Sequence, residues 1–232
     1  MTVLEIRPVK GMAEIQEGDD LASLIVEAIA MDGWSLADED IVVVTHKVVS
    51  KQEGRIVAIP DEDTYRSLVE DEAVEIIRRR GDLVIARTKH GFICANAAVD
   101  RSNVAEGFAL LLPVDPDRSA HRLRRLIERA TGTSIGVVIT DTFGRPWRRG
   151  LVDVAIGMSG VPPIIDLVGT LDAHGNELNV TEIAIVDEIA AAADLVMGKA
   201  SQIPVAVLRG LSLEGSGRVA DLIRPPEEDL FR

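Results

Sequence analysis

Two uninterrupted aliphatic runs constrain this chain more than anything else in it. IVVVT (residues 41–45) and SIGVVIT (residues 134–140) show no polar alternation. A strand with one wet face alternates, so each run is expected to be a strand buried on both faces. Aromatic residues make up only 3% of the 232, so the core around these strands must be built from Val, Ile, Leu and Ala. A chain of this length buries roughly 70% of the surface it exposes unfolded. That suffices for one large domain or two small ones without covalent staples.

The remaining pattern interleaves strands and helices without a clean βαβ rhythm. Strands are expected at residues 3–8, 82–88, 91–94, 108–112 and 205–208, with weaker ones at 152–156 and 164–167, and Val48 and Val49 are candidates to extend the 41–45 strand. Helices are expected at 21–29, capped by Asp19 or Asp20, at 65–80, ended by Gly81, at 118–130, and at 181–197. No G-x-G-x-x-G follows a strand and no Walker A run occurs, so neither a Rossmann nor a P-loop fold is expected. The expectation is a mixed α/β (α+β) fold, with mixed sheets and substantial antiparallel pairing. Residues 1–213 read as the working domain. Residues 214–232, rich in Gly, Pro and charge, read as a tail that is mobile or docked on a partner subunit.

Charge narrows the partners. Lys and Arg number 25 against 38 Asp and Glu, a net charge of −13. Nucleic acid needs a basic stripe, and an anionic membrane is likewise disfavoured. A small anionic ligand remains compatible, because a local basic pocket can sit in an acidic protein. The lone cysteine, Cys94, rules out an internal disulfide and reads as a small buried hydrophobe. No apolar run reaches a membrane span, and the opening MTVLEIRPVKG has no signal-peptide pattern. A soluble, cytoplasmic protein is expected.

Four places carry more polar groups than folding needs. Residues 9–15 (VKGMAEI) follow the first strand, and Gly11 there permits close ligand approach to main-chain N–H groups; the plain alternative is a strand-to-helix loop. THKVVSK (45–51) closes a buried strand, and its two lysines with His46 suit an anionic group such as phosphate; the alternative is a solvated loop with snorkelling lysines. Asp100 and Asn103 sit three apart in a polar break, where a hard cation could take one carboxylate plus phosphate oxygens; the alternative is an Asx-turn. TDTFGRPWRRG (140–150) is the strongest signal, read as a functional loop after a buried strand. Asp141 with the Thr142 hydroxyl suits a divalent ion, and Arg145 and Arg148 suit bidentate phosphate or carboxylate contacts. His174 is expected to be exposed in a hairpin turn, and Asp187 and Glu188 to lie on a solvated helix face. Together these residues point to metal-assisted phosphate chemistry.

The stretches VKGMAEIQEGDDL, VVVTHKVVSKQEGR, AAVDRSNVAEGFALLLPVDPD, VVITDTFGRPWRRGLVDVAIG and DAHGNELNVTEIAIVDEIAAAADLVMGKA resemble the coenzyme F420-0:L-glutamate ligases. The likeness runs in order over nearly the whole chain and implies the stand-alone form, without the fused nitroreductase-like FMN domain of actinobacterial members. It implies a GTP-dependent amide ligase that adds L-glutamate to the lactyl carboxylate of a deazaflavin phosphodiester, then further glutamates through γ-linkages. GTP is expected to phosphorylate the acceptor carboxylate, giving an acyl phosphate that the glutamate amine attacks. Mg²⁺ or Mn²⁺, two ions per site, and K⁺ are the expected ions. By matching position, Met12, Ala13, Glu14, Ile15, His46, Lys51 and Asn103 would contact GTP. Asp100, Asp141 and Thr142 would hold metal, and Arg145 and Arg148 are added as phosphate or substrate-tail clamps. One departure is His46, where relatives can carry Ser. The resemblance also implies an intertwined homodimer, with residues 214–232 helping to dimerise. Competing readings are a related metal- and GTP-dependent ligase with another carboxylate acceptor, and a nucleotide-binding module in which Asp100 and Asp141 only hold Mg²⁺.

Overall fold

Among the described residues, thirty-six buried side chains, all but Phe92 non-aromatic, form one core around the two β-branched runs. The computed structural model describes residues 3–230. In chain order its elements are β1 (Glu5–Pro8), α1 (Leu21–Met31), β2 (Ile41–Thr45), α2 (His46–Gln52), β3 (Ile56–Ala58) and α3 (Glu62–Glu72). Then come β4 (Ala73–Arg80), β5 (Leu83–Thr88), β6 (Ile93–Ala95), β7 (Phe108–Leu110), α4 (Pro116–Thr131) and β8 (Gly136–Arg145). The chain continues through β9 (Arg148–Ser159), β10 (Ile165–Asp166), β11 (Glu182–Ile183), α5 (Ile185–Met197) and β12 (Val205–Arg209).

The central sheet has the order β1-β12-β2-β8-β9. β2 and β8 run parallel, in register from Ile41 opposite Gly136 to Thr45 opposite Thr140. The other pairings in the sheet are antiparallel. The fold is thus mixed α/β with mixed sheets, as the sequence implied. Val42–Val44 and Val137–Ile139 are fully buried, which is why neither run alternates.

Helix ends follow local chemistry. Asp115 accepts the Arg118 N–H at 3.0 Å, Pro116 opens α4, and Gly132 closes it with φ 75°. Ala120, Leu123 and Ile127 are its buried stripe. Asp20 caps α1 through the Ser23 N–H at 3.2 Å. Gly157 marks where α4 presses on the sheet: a Cβ there would lie 2.5 Å from the Pro116 carbonyl carbon. A smaller core joins α3, the β3–β7 ribbon and the β4-β5-β6 sheet around Tyr65, Val69, Val84, Ala86 and Leu111.

Several expectations are corrected. The helix expected over 65–80 stops at Glu72, and Ala73–Arg80 forms β4 against β5. Val74, Ile76 and Ile77 favour an extended chain, and pairing supplies cross-strand contacts such as Arg87 to Glu75 at 3.1 Å. Gly81, with φ 59°, serves the hairpin turn instead of a helix end. Val48 and Val49 do not extend β2; they are buried on α2. The functional loop expected at 140–150 is a β-hairpin: β8 continues to Arg145 and β9 starts at Arg148, about the turn Pro146–Trp147. The helix expected from residue 181 begins at Ile185, because Glu182 and Ile183 pair with Asp166 and Ile165. Asp187 does not sit on a solvated face; its carboxylate accepts the Ala155 N–H at 2.9 Å. Within the expected tail beyond Glu214, Val219 is buried and its N–H donates to Asp117 at 3.2 Å, while most of its other described residues are exposed. Residues 231 and 232 of the expected tail lie outside the described residues. Among the described residues no helix is long and apolar enough to cross a membrane.

Candidate functional site

β2 and β8 run parallel, so the end of β2 and the start of α2 lie beside the middle of the longer β8. Thr45 lies opposite Thr140 in register. The next residue of each strand is therefore placed side by side: His46 Nε2 stands 3.3 Å from Asp141 Oδ1. His46 is completely buried, with Nδ1 3.3 Å from the Ser50 hydroxyl and Nε2 making no hydrogen bond of good geometry. Asp141 also accepts its neighbour's amide, Thr142 N–H, at 2.7 Å. Burial raises the Asp141 pKa, but His46, the Thr142 N–H and Lys47 outweigh it and hold the carboxyl below the usual range.

The second carboxylate arrives from the smaller core. Asp100 exchanges backbone hydrogen bonds with Leu110 at 3.0 and 2.7 Å. Just before it, Asn96, Ala97 and Ala98 all hold positive φ, a strained approach. The Tyr65 hydroxyl fastens this segment by donating to the Val99 carbonyl at 3.2 Å. Arg101 lies over the Tyr65 ring at 4.1 Å and reaches Glu62 at 2.5 Å. The Asp100 carboxylate pairs with Lys47 and accepts the Ser102 N–H at 2.7 Å, so the Asx-turn exists alongside any ligand role. Lys47 also donates to the Ser102 hydroxyl at 2.6 Å. Burial raises the Asp100 pKa, and Lys47 with Ser102 more than reverses it.

α2 thus splits its polar residues between two jobs. His46 and Lys47 face the carboxylates. Lys51, only 8% exposed, pairs with Glu14 and ties the 9–15 loop to α2. That loop is anchored at both ends by buried Val9 and Ile15, with Met12 half-buried and Ala13 and Glu14 exposed between them. Asn103 is exposed on the turn after Asp100, with φ 56°.

The structure does not bring every expected residue to this centre. Adjacent side chains on a strand point to opposite faces, and the Thr142 hydroxyl donates to Asp153 at 2.5 Å, as Thr140 does at 3.1 Å. Thr142 therefore faces away from the Asp141 carboxylate. Arg145 lies four residues further along β8, about 13 Å at ~3.3 Å per residue, and donates to the Arg149 carbonyl at 2.5 Å. Arg148 is exposed at the same hairpin end. His174 is exposed in a turn organised by Asp172, which accepts its N–H at 2.8 Å.

Two residues were missed as individuals. Lys47 lay inside a noted segment, but only the fold shows that it, and not Lys51, contacts Asp100. Asp153 is a buried carboxylate whose pKa is raised by burial, against the two threonine hydrogen bonds. An acidic residue within an apolar strand pattern was the available signal. Cys94 is buried as expected, and burial followed by the charge of Asp141 pushes its thiol up to about 12, which keeps it an unreactive thiol.

The donor set fits a hard divalent cation that uses one or two protein carboxylates and takes other oxygens from water and phosphate. Among the described residues no group of three or more His, Cys, Asp or Glu is placed to form an all-protein metal cage. Asp100, Asp141 and the hydroxyl of Ser102 supply oxygen only.

Comparison with known proteins agrees in length and order. A family model described as F420-0:Gamma-glutamyl ligase matches residues 11–210. The chain is 43% identical to the coenzyme F420:L-glutamate ligase of Methanothermobacter thermautotrophicus over 244 aligned positions, covering 97% of each protein. It is 42% identical to the ligase of that name from Archaeoglobus fulgidus, covering 99% of this chain and 96% of the relative. The corresponding figures for Methanocaldococcus jannaschii are 40%, 99% and 95%. By these matches along nearly its whole length, the chain belongs to the F420-0:gamma-glutamyl ligase family.

Proposed function

We propose that this protein is a GTP-dependent ligase that joins L-glutamate to the carboxylate of the deazaflavin F420-0, and then adds glutamate by γ-linkage. The observation that carries the proposal is the meeting of His46, Lys47, Asp100 and Asp141 where β2 ends beside the parallel strand β8, in a chain similar over its length to proteins named coenzyme F420:L-glutamate ligase.

A carboxylate is a poor electrophile, so it must be activated. Its oxygen attacks the γ-phosphorus of GTP, the bond from that phosphorus to the β–γ bridging oxygen breaks, and GDP departs. The glutamate amine then attacks the acyl carbon. The new C–N bond replaces the C–O bond to phosphate, the amine gives up a proton, and inorganic phosphate leaves. Asp100 and Asp141 would hold Mg²⁺ or Mn²⁺, which supplies charge neutralisation for the transferring phosphoryl group. Lys47, now engaged by Asp100, is placed to take up phosphate charge when that carboxylate turns to a cation. Lys51 and Glu14 hold the 9–15 loop, whose Met12, Ala13 and Ile15 are assigned to GTP with His46 and Asn103. Phosphoryl transfer is mostly positioning and electrostatics, and this rigid strand-end arrangement suits it.

The test incubates the enzyme with F420-0, L-glutamate, Mn²⁺ and either GTP or ATP, and reads product masses. The expected result is growth by glutamyl units with GTP and little with ATP. No glutamylated product, or equal use of ATP, contradicts the proposal. A rise in melting temperature with GTP but no turnover would instead mark a nucleotide-binding module.

A further inference from the structure

A cavity of about 290 Å³ lies between β6, the β8–β9 hairpin and the segment 218–229. Val154, which lines it, is the register partner of Asp141 on β9. Phe143, which also lines it, is two positions along β8 and so shares the Asp141 face. Asp141 does not itself line the cavity, but the face of the hairpin that carries its side chain leads into it through Phe143 and Val154. The loop assigned to the nucleotide is tied to α2 through the Lys51–Glu14 pair, and none of its residues lines this cavity.

We propose that this cavity receives the planar heteroaromatic headgroup of the acceptor, leaving its anionic chain to run past Asp141 to the reacting carboxylate. This rests on the ligase reading above and extends it to the substrate. The chain has four Phe, two Trp and one Tyr, and its main core is aliphatic except for Phe92, against which Phe143 packs. Two of those four Phe, Phe92 and Phe143, are concentrated at this one cavity, 6.0 Å apart and edge-on at 65°. His90 stacks behind Phe92 at 5.7 Å and 12°. Aromatic walls of this kind suit a flat ring system. Ile223, from the C-terminal segment, closes the far side, and Arg224 brings an exposed guanidinium to the rim, suited to an anionic chain; two carboxylates also line the cavity, Asp229 and Asp187, the latter engaged by the Ala155 N–H. The volume sits at the low end of small-molecule sites, roughly 300–1,000 Å³. It holds one ring system, with the rest of the ligand outside.

The test combines calorimetric binding of F420-0 with steady-state kinetics for the wild type, Phe143→Ala and Arg224→Glu, varying acceptor and GTP separately. The expected result is a loss of acceptor affinity and a rise in acceptor KM, about tenfold for Phe143→Ala and several-fold for Arg224→Glu. GTP KM should stay within about twofold. Unchanged acceptor binding and KM in both variants overturns the assignment, as does a rise confined to GTP KM, which would place the guanine there. Circular dichroism checks folding, and if Phe143→Ala fails to fold, the exposed Arg224→Glu decides alone. Wild type that binds F420-0 in this cavity but forms no product refutes the ligase reading and leaves the binding assignment standing. Product formation with both variants indistinguishable from wild type does the reverse.

Discussion

His46 and Asp141 face each other because two strands of different sequence position share one register. Asp100 reaches them through Lys47. Replacing either carboxylate by its amide removes charge with little change in shape, so Asp100→Asn and Asp141→Asn should lower ligation by at least about a hundredfold. Thermal unfolding should shift by only a few degrees. Near-wild-type turnover in either variant would remove it from the metal site. The two also fix an acid limit. Their folded pKa values lie below the ordinary 3.8, so the stability they contribute is present above the unfolded value and lost as pH falls through the folded one. Asp153 has the opposite sign. Its pKa is raised by burial, so at neutral pH its ionised form is a cost to the fold that protonation relieves as pH falls. Asp153→Asn should therefore raise the melting temperature at pH 7 by a few degrees, with the gain shrinking at acid pH. A lower melting temperature at pH 7 would contradict this. The sequence made Asp100 and Asp141 legible because carboxylates beside buried strands are conspicuous. It left the orientation of Thr142 illegible, because that depends on which face of β8 is which.

At the scale of elements, legibility followed burial. The two fully apolar runs are the central strands, and α1 and α4 are found where capping and periodicity put them. α4 offers a direct test: Asp115→Ala deletes its cap and should cost about 1 kcal/mol, or roughly 2–4 °C for a chain of this size, read by thermal unfolding. No change would mean the bond to the Arg118 N–H carries no stability. The half-buried elements were harder. Residues 73–80 carry apolar side chains at spacings that fit a helix or a strand, and only β5 as a pairing partner decides for the strand. The hairpin of β8 and β9 was hidden for a related reason. Residues 144–150 around its turn are rich in Gly, Pro and Arg, which read locally as loop, whereas pairing of Thr142 with Asp153 and Phe143 with Val152 carries the strand through.

For the molecule as a whole, the charge of −13 is compatible with phosphate-bearing substrates because the cations are gathered where they are needed, as Lys47 and Lys51 on α2. The hairpin end leaves Trp147 77% and Leu151 64% exposed, more apolar surface than a turn needs. The homodimer implied by the resemblance would cover it, and light scattering at micromolar concentration should give twice the chain mass; a monomer would contradict this. The central claim is that the strand-end site activates a carboxylate with GTP. It is tested most directly by supplying F420-0 with ¹⁸O in its lactyl carboxylate and weighing the phosphate released during ligation. The account predicts one ¹⁸O in the phosphate released with the first amide, unlabelled phosphate from any later γ-linked addition, and loss of both in Asp141→Asn. Formation of the first amide with unlabelled phosphate would contradict it.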